Sequence, residues 1–217
     1  MTASGRASSD TATGDRTGDQ AGGTTDGLPT LGALDWLPAL DRPDLLAAPV
    51  HAALRRWADD DPRVAAQVAV AEIDPEHADT ETLNRVHALP PEVSANCVVV
   101  AGRRGGDERV AAVVVRATTR ADVNTRVRHL LDARKASFLP QDRAVEESGM
   151  EYGGITPLGV PPVWRVLVDA RVAEPGTLAL IGSGVRRSKV LLPGDLLAAA
   201  PGAEVIEDLA VKVPVDR

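Results

Sequence analysis

Apolar residues are absent from the start of the chain and dense after it. Residues 1–27 contain no Val, Ile, Leu, Phe, Trp or Tyr and are rich in Gly, Thr, Ser and Asp. Nothing there can be buried to offset chain entropy. The pattern predicts a disordered tail over 1–27, serving as a solubilising extension or a docking arm. One folded domain follows over 28–217, its apolar density running to Val213 without a second linker.

Within that domain the spacing alternates between helical and extended periods. Leu45, Leu46, Val50, Leu54 and Trp57 form a helical stripe over 44–60, bent or restarted at Pro49. The Val- and Ala-rich run 64–73, closed by Asp74-Pro75, predicts a first strand. Asp79 and Thr80 can cap a short helix bearing Leu83, Val86 and Leu89, stopped by Pro90-Pro91. The runs 97–101 and 110–115 flank Arg-Arg-Gly-Gly and predict a β-hairpin. Their unbroken apolar character predicts strands buried on both faces. Val123, Val127, Leu130 and Leu131 stand at i, i+4, i+7 and i+8, one face of a helix. Asp142 is placed to cap a short helix that ends at Gly149. Strands are expected at 166–168, 178–181 and 190–192, then a helix near 196–200 and a strand near Val205. Strands outnumber helices and lie in hairpins. The expected class is therefore mixed α/β (α+β-like), a curved mixed sheet or partial β-barrel with surrounding helices, rather than a doubly wound fold.

Composition narrows the function classes. The chain has 217 residues, 44% of them hydrophobic, enough for one full-sized core. Lys+Arg number 24 against Asp+Glu 31, a formal net charge of −7. Such a chain is unsuited to gripping long stretches of nucleic-acid backbone, and DNA is not an expected partner. Contact with one RNA end through a local basic patch stays open. Residues 101–143 hold ten Lys/Arg against five Asp/Glu, a count that an RNA-facing surface or a solvated helix face would give. The single cysteine, Cys97, excludes an internal disulfide and a Cys-rich zinc site. His51, His77, His87 and His129 lack metal-ligand spacing, so neither a metal nor a cofactor is expected. No apolar run approaches the ~20 residues of a membrane span. The start lacks the apolar core of a signal peptide, which makes the cytoplasm the expected compartment and a membrane partner unexpected.

The stretch with the most chemistry is Gly153-Gly154-Ile155-Thr156-Pro157-Leu158-Gly159, followed downstream by Gly182-Ser183-Gly184. Glycines before a Thr-Pro step make a tight turn whose backbone N–H groups can face a ligand. The alternative is a plain connection between helix and strand. Gly182-x-Gly184 lacks the third glycine of a dinucleotide fingerprint.

This loop, the acidic helix before it (Glu146-Glu147-Ser148-Gly149) and the later Ile181-Gly182-Ser183-Gly184-Val185 turn resemble the YbaK-type aminoacyl-tRNA deacylases. These are relatives of the editing domain inserted in bacterial prolyl-tRNA synthetase. The similarity extends more weakly back to about Ala52. It implies a pocket for the aminoacylated 3′ end of tRNA that hydrolyses the ester of a mischarged amino acid, with an aminoacyl-tRNA synthetase as a further possible partner. On this resemblance Gly153, Gly154, Ile155, Thr156 and Pro157 hold the terminal adenosine or the ester carbonyl, with Gly154 among the catalytic donors. Gly182, Ser183 and Gly184 form the opposite wall.

The chain departs from that family at one place. A lysine is usual at the start of the strand after the second helix, and Asn96 stands there. A carboxamide offers neutral donors and an acceptor but no charge. Three readings follow: Asn96 orients the substrate in an altered catalytic site, the chain is a non-catalytic module binding aminoacyl-tRNA or a protein, or Asn96 caps the strand entry. Lys189, just after the glycine turn, reads either as surface charge on a hairpin or as a side chain that reaches the pocket mouth, and Arg186 and Arg187 can hold phosphates near an RNA end. Tyr152 and Trp164 flank the loop and can stack on a base. Cys97 reads as a small core residue in preference to a thiol nucleophile, and Asp169 as a structural residue in preference to one lining the pocket.

Overall fold

The structure, a computed structural model, describes Met1 and residues 27–213; positions 2–26 of the expected tail and 214–217 lie outside the described residues. In chain order the elements are strand β1 (Leu37–Pro38), helices α1 (Ala48–Asp60) and α2 (Arg63–Gln67), strand β2 (Ala69–Glu72) and helix α3 (Thr80–Val86). The hairpin β3 (Ala95–Arg104) and β4 (Asp107–Arg116) follows, then β5 (Thr119–Ala121), α4 (Arg128–Leu130), β6 (Lys135–Phe138) and α5 (Gln141–Ser148). The last part holds β7 (Arg165–Asp169), β8 (Leu178–Gly182), β9 (Ser188–Pro193), α6 (Gly194–Ala198), β10 (Ala203–Ile206) and β11 (Ala210–Lys212).

Two sheets carry the molecule. One is antiparallel, in the order β1-β2-β9-β8. The other is mixed, in the order β10-β7-β4-β3-β6, parallel from β10 to β4 and antiparallel beyond. They meet where Ser94 bridges Leu180, and the curved surface does not close into a barrel. A two-stranded ribbon of β5 and β11 lies beside them.

Strand alternation explains why both faces are buried. Val114, Val166 and Val168 of one sheet and Ile181, Val190 and Leu192 of the other share a core with Leu54 and Trp57 of α1 and Leu196 and Leu197 of α6. The intervening residues point the other way. Leu180 and Leu191 pack under Leu83 of α3 and Trp36, while Val113, Val115 and Leu167 pack under Val127, Leu131 and Leu209. Three apolar layers over two sheets account for the unbroken Val and Leu runs.

The predicted hairpin, the three later strands, the cap at Asp79 and the stop at Gly149 appear where the spacing puts them. Asp79 Oδ1 accepts from Thr82 N at 3.0 Å, and α5 ends at left-handed Gly149 (φ 65°). Other expectations are corrected. The run 64–73 is not one strand: α2 fills its first half, because Arg63 N and the guanidinium both bond to Asp61, and Ala65-Ala66-Gln67 favours a helix. Pro49 does not bend α1, which begins one residue before it, where a missing N–H costs nothing. Asp142 lies inside the first turn of α5 and is not its cap; Pro140 precedes the helix. The stretch 123–127 is a π-turn leading into α4, held by Asp122, whose carboxylate accepts from Thr125 N and Arg126 N. Among the described residues no helix is long and apolar enough to cross a membrane.

Candidate functional site

The loop after α5 is held by backbone bonds to the β8–β9 turn. Glu151 N donates to Gly184 O at 2.8 Å, Gly184 N to Gly154 O at 2.8 Å, and Gly154 N to Glu151 O at 2.9 Å. The glycines of both turns make room for this contact. A Cβ at Gly182 would lie 2.3 Å from Gly154 O, and one at Gly154 would lie 2.7 Å from the Val185 carbonyl. Gly184, at φ 86°, passes against Ala47 at the start of α1. The glycine pattern therefore serves first to let two loops lie backbone to backbone.

A cavity of about 580 Å³ opens beside this contact, within the range of small-molecule sites. Tyr152, Gly153 and Ile155 line it with Gly182 of β8. The start of β3, including Asn96, lines it too, two residues past the Ser94–Leu180 bridge that joins β3 to β8, with Asp79 and Thr80 from the N-terminus of α3. Phe138, Gln141 and Lys189 of β9 also contribute. The structure thus brings Asn96, Gly153, Ile155 and Gly182 to one cavity, although 86 residues separate Asn96 from Gly182. Gly154, Thr156, Pro157, Ser183 and Gly184 are not among its lining residues. Gly154 N is spent on Glu151, as above. Thr156 is fully buried, and its Oγ1 has no hydrogen-bond partner among the described residues. Pro157 faces a separate groove shared with Trp57 and Pro161. Ser183 is buried, with its Oγ 2.7 Å from Ser188 Oγ, and Ser188 Oγ donates to Leu45 O at 2.5 Å.

Asn96 is exposed, and its Oδ1 accepts from Thr80 Oγ1 at 2.9 Å, which leaves the amide N–H₂ to face the cavity or solvent. Cys97 also lines the cavity, and burial pushes its thiol up to about 12, so it stays protonated and is no nucleophile at neutral pH.

Of the two places expected for Lys189, the structure gives the pocket. Lys189 is not surface charge: it is 8% exposed, and Nζ donates to Ala78 O at 3.0 Å. Burial, helped by Arg186 and opposed by Asp79, brings its ammonium down to about 8. Arg186 is a strap, its backbone N donating to Glu151 Oε2 at 2.7 Å and its guanidinium to Pro75 O at 3.1 Å. Arg187 reaches Asp44 O and lies 3.8 Å from Glu72. Of the flanking aromatics, Tyr152 stands 56% exposed at the cavity, while Trp164 is buried against Leu139 and Ala144. The second exposed aromatic is Phe138, 62% exposed, which the sequence reading passed over. Its strand, β6, is only four residues, Lys-Ala-Ser-Phe, too short for its polar–apolar alternation to stand out.

Beyond Phe138 lies a groove of about 670 Å³ lined by Arg103, Arg104, Arg134, Lys135 and Arg143. Arg103 and Arg143 pair with Glu108, and Arg104 pairs with Asp132. Arg134 and Lys135 have no ion pair among the described residues. Asp169 is structural: buried at the end of β7, it accepts from Arg171 and from Ala210 N at 3.0 Å.

Residues 74–199 match the model of a family described as an aminoacyl-tRNA editing domain. A solved structure described as a proposed trans-editing enzyme for prolyl-tRNA synthetase superposes with a TM-score of 0.60 at 17% identity, covering 74% of this chain and 94% of that one. Another, described only as a hypothetical protein, gives a TM-score of 0.60 at 17% identity over 73% of this chain and 99% of that one. At that identity the likeness is one of fold. No curated protein matches the sequence.

Proposed function

The chain belongs to the aminoacyl-tRNA editing domain family, and from that premise we propose that it hydrolyses the ester bond of mischarged aminoacyl-tRNA. The observation that carries the reading is the cavity lined by Gly153, Ile155, Gly182 and Asn96, with the exposed rings of Tyr152 and Phe138 on its lining. Its volume suits an amino acid with the adjoining ribose. The two exposed rings offer faces on which a terminal base can stack, a contact worth ~1–3 kcal/mol.

An aminoacyl ester is already activated, so the demands on the protein are positioning and exclusion of bulk water. Water adds to the carbonyl carbon and the carbonyl oxygen takes up the negative charge. The intermediate then collapses with departure of the ribose oxygen. That oxygen recovers the proton the water gives up, leaving a free amino acid and an RNA with an intact 3′-terminal hydroxyl. The Asn96 amide donates to a ribose hydroxyl or to the amino acid, its carbonyl being held by Thr80. The cavity's Gly-rich wall keeps side chains out of the substrate's way. The groove past Phe138 takes the RNA backbone, with Arg134 and Lys135 meeting phosphates.

Purified protein incubated with a panel of mischarged tRNAs tests the reading. Loss of the charged species from at least one tRNA, with multiple turnovers, is the expected result. If every tRNA stays charged while binding is measurable, the chain is a non-catalytic module for charged tRNA, the reading that Asn96 in place of lysine would favour.

A further inference from the structure

Stripping water from an ammonium costs several kcal/mol unless an opposite charge or several hydrogen bonds answer it. Lys189 receives little of either. Its Nζ makes one hydrogen bond, to Ala78 O, and no ion pair among the described residues. Two of its three N–H donors have no protein acceptor. Strand register fixes the position, since Lys189 lies opposite Gly182 on β8 and Ala71 on β2. Gly182 contributes no side chain to cover it, and the Gly182 wall is the one against which Gly154 and Ile155 pack.

Lys189 is also the one cation among the cavity's described lining residues, and it sits deeper than the groups at the mouth. It is 8% exposed where Tyr152 is 56% and Phe138 62% exposed. A phosphodiester, which keeps its hydration, belongs at the mouth; the reacting ester belongs at the depth of Lys189. Asn96, which lines the same cavity, is neutral.

Resting on the deacylase reading, we propose that Lys189 is the catalytic cation of this site: its ammonium donates to the ester carbonyl oxygen as that oxygen becomes negative, supplying from β9 the charge that position 96 does not carry. A donor aimed at a developing oxyanion in a site that excludes water gains strength as charge appears, so its effect falls on kcat more than on KM. The charged groups facing Nζ are Asp79, from the residue capping α3, which favours the ammonium, and Arg186, from the β8–β9 turn, which opposes it.

The test measures kcat and KM on a mischarged tRNA for wild type, Lys189→Met, Lys189→Arg and the swap Asn96→Lys/Lys189→Met. Lys189→Met is expected to lower kcat ~10²-fold or more, with KM changed only slightly. Lys189→Arg and the swap are expected to recover part of the loss, because both return a cation to the cavity. The lysine titrates at about 8 and the guanidinium does not, so the ratio of wild-type to Lys189→Arg rate should fall as pH rises through that value. Unchanged kcat in Lys189→Met overturns the proposal. So does a folded pair of Lys189→Arg and swap variants that both stay silent. Should the variants fail to fold, a wild-type kcat that is flat or rising between pH 7 and about 10 overturns it.

Titration with a phosphonate analogue of aminoacyl-adenosine, anionic at the oxyanion position, separates the two claims. If wild type turns over nothing, the deacylase reading fails. The role of Lys189 toward an anionic oxygen then stands if Lys189→Met binds the phosphonate at least ~10-fold more weakly than wild type, and falls if the affinities match.

Discussion

Substituting Gly182 by alanine places one methyl group at the contact that builds the cavity wall. The added Cβ would lie 2.3 Å from Gly154 O, 2.9 Å from Gly154 C and 2.9 Å from Ile155 O. All three are backbone atoms, and non-bonded atoms settle near ~3.5–4.0 Å. The loop must therefore retreat by roughly 1 Å. It is not free to do so, because Gly184 N bonds to Gly154 O and Glu151 N to Gly184 O, each at 2.8 Å. Overpacking of this kind costs ~1–3 kcal/mol, and stretching one of those hydrogen bonds adds about 1 kcal/mol. A destabilisation of about 2–4 kcal/mol lowers Tm by roughly 4–16 °C for a chain of this size. Calorimetry and urea denaturation measure it, and deacylation kinetics should show a larger loss than the fraction unfolded explains. A variant that melts within about 1 °C of wild type and deacylates at the same rate would refute the argument that Gly182 is glycine for close loop packing.

Removing the Asp169 carboxylate in Asp169→Ala takes from Arg171 its ionic partner, bonded at 2.8 and 2.9 Å, leaving the part-exposed guanidinium with Ala210 O, and leaves the Ala210 N–H that holds β11 without its acceptor. The expected loss is ~1–3 kcal/mol, read from the urea midpoint; a change under about 0.5 kcal/mol would show the pair to be expendable. Glu108, held by Arg143 first and Arg103 second, titrates at about 2 instead of its ordinary 4.5. A depressed carboxylate stabilises fully above its unfolded value, so this contribution should vanish as pH falls from 4.5 toward 2, and Glu108→Gln should flatten the urea midpoint over that window. Replacing Arg134 and Lys135 together by glutamate should weaken mischarged tRNA at least ~10-fold and reduce the salt slope by about 2. Hydrolysis of aminoacyl-adenosine should be untouched; an equal loss on both substrates would remove the groove from RNA binding.

Much of the fold was legible because it is written in short-range terms. Capping at Asp79, the left-handed stop at Gly149 and the Val-rich hairpin around Arg103–Gly106 each depend on a few neighbouring residues. The illegible pieces lack that local code. β6 has one half-buried residue and three exposed ones, and β1 is two residues long. β5 and β11 exist only because they pair with each other across the chain. The helical start of the run 64–73 was hidden because its Val and Ala residues suit a buried strand or a buried helix turn equally, and a carboxylate at Asp61 decided between them.

The candidate site divides along the same line. Family membership, the Gly-Gly loop and the neutral Asn96 were all present in the linear order of residues. Their backbone conformations and hydrogen-bonding inventories are intrinsic to each residue type. Which of them share a cavity was not, and neither was the depth of Lys189. A lysine within Arg-Arg-Ser-Lys reads as solvated charge. Only its register opposite Gly182 and Ala71, between two other strands, strips it of water. Desolvation is a property of surrounding volume. That volume here is assembled from β3, α3, β6, the loop before β7 and the two strands flanking the glycine turn, segments joined only by folding.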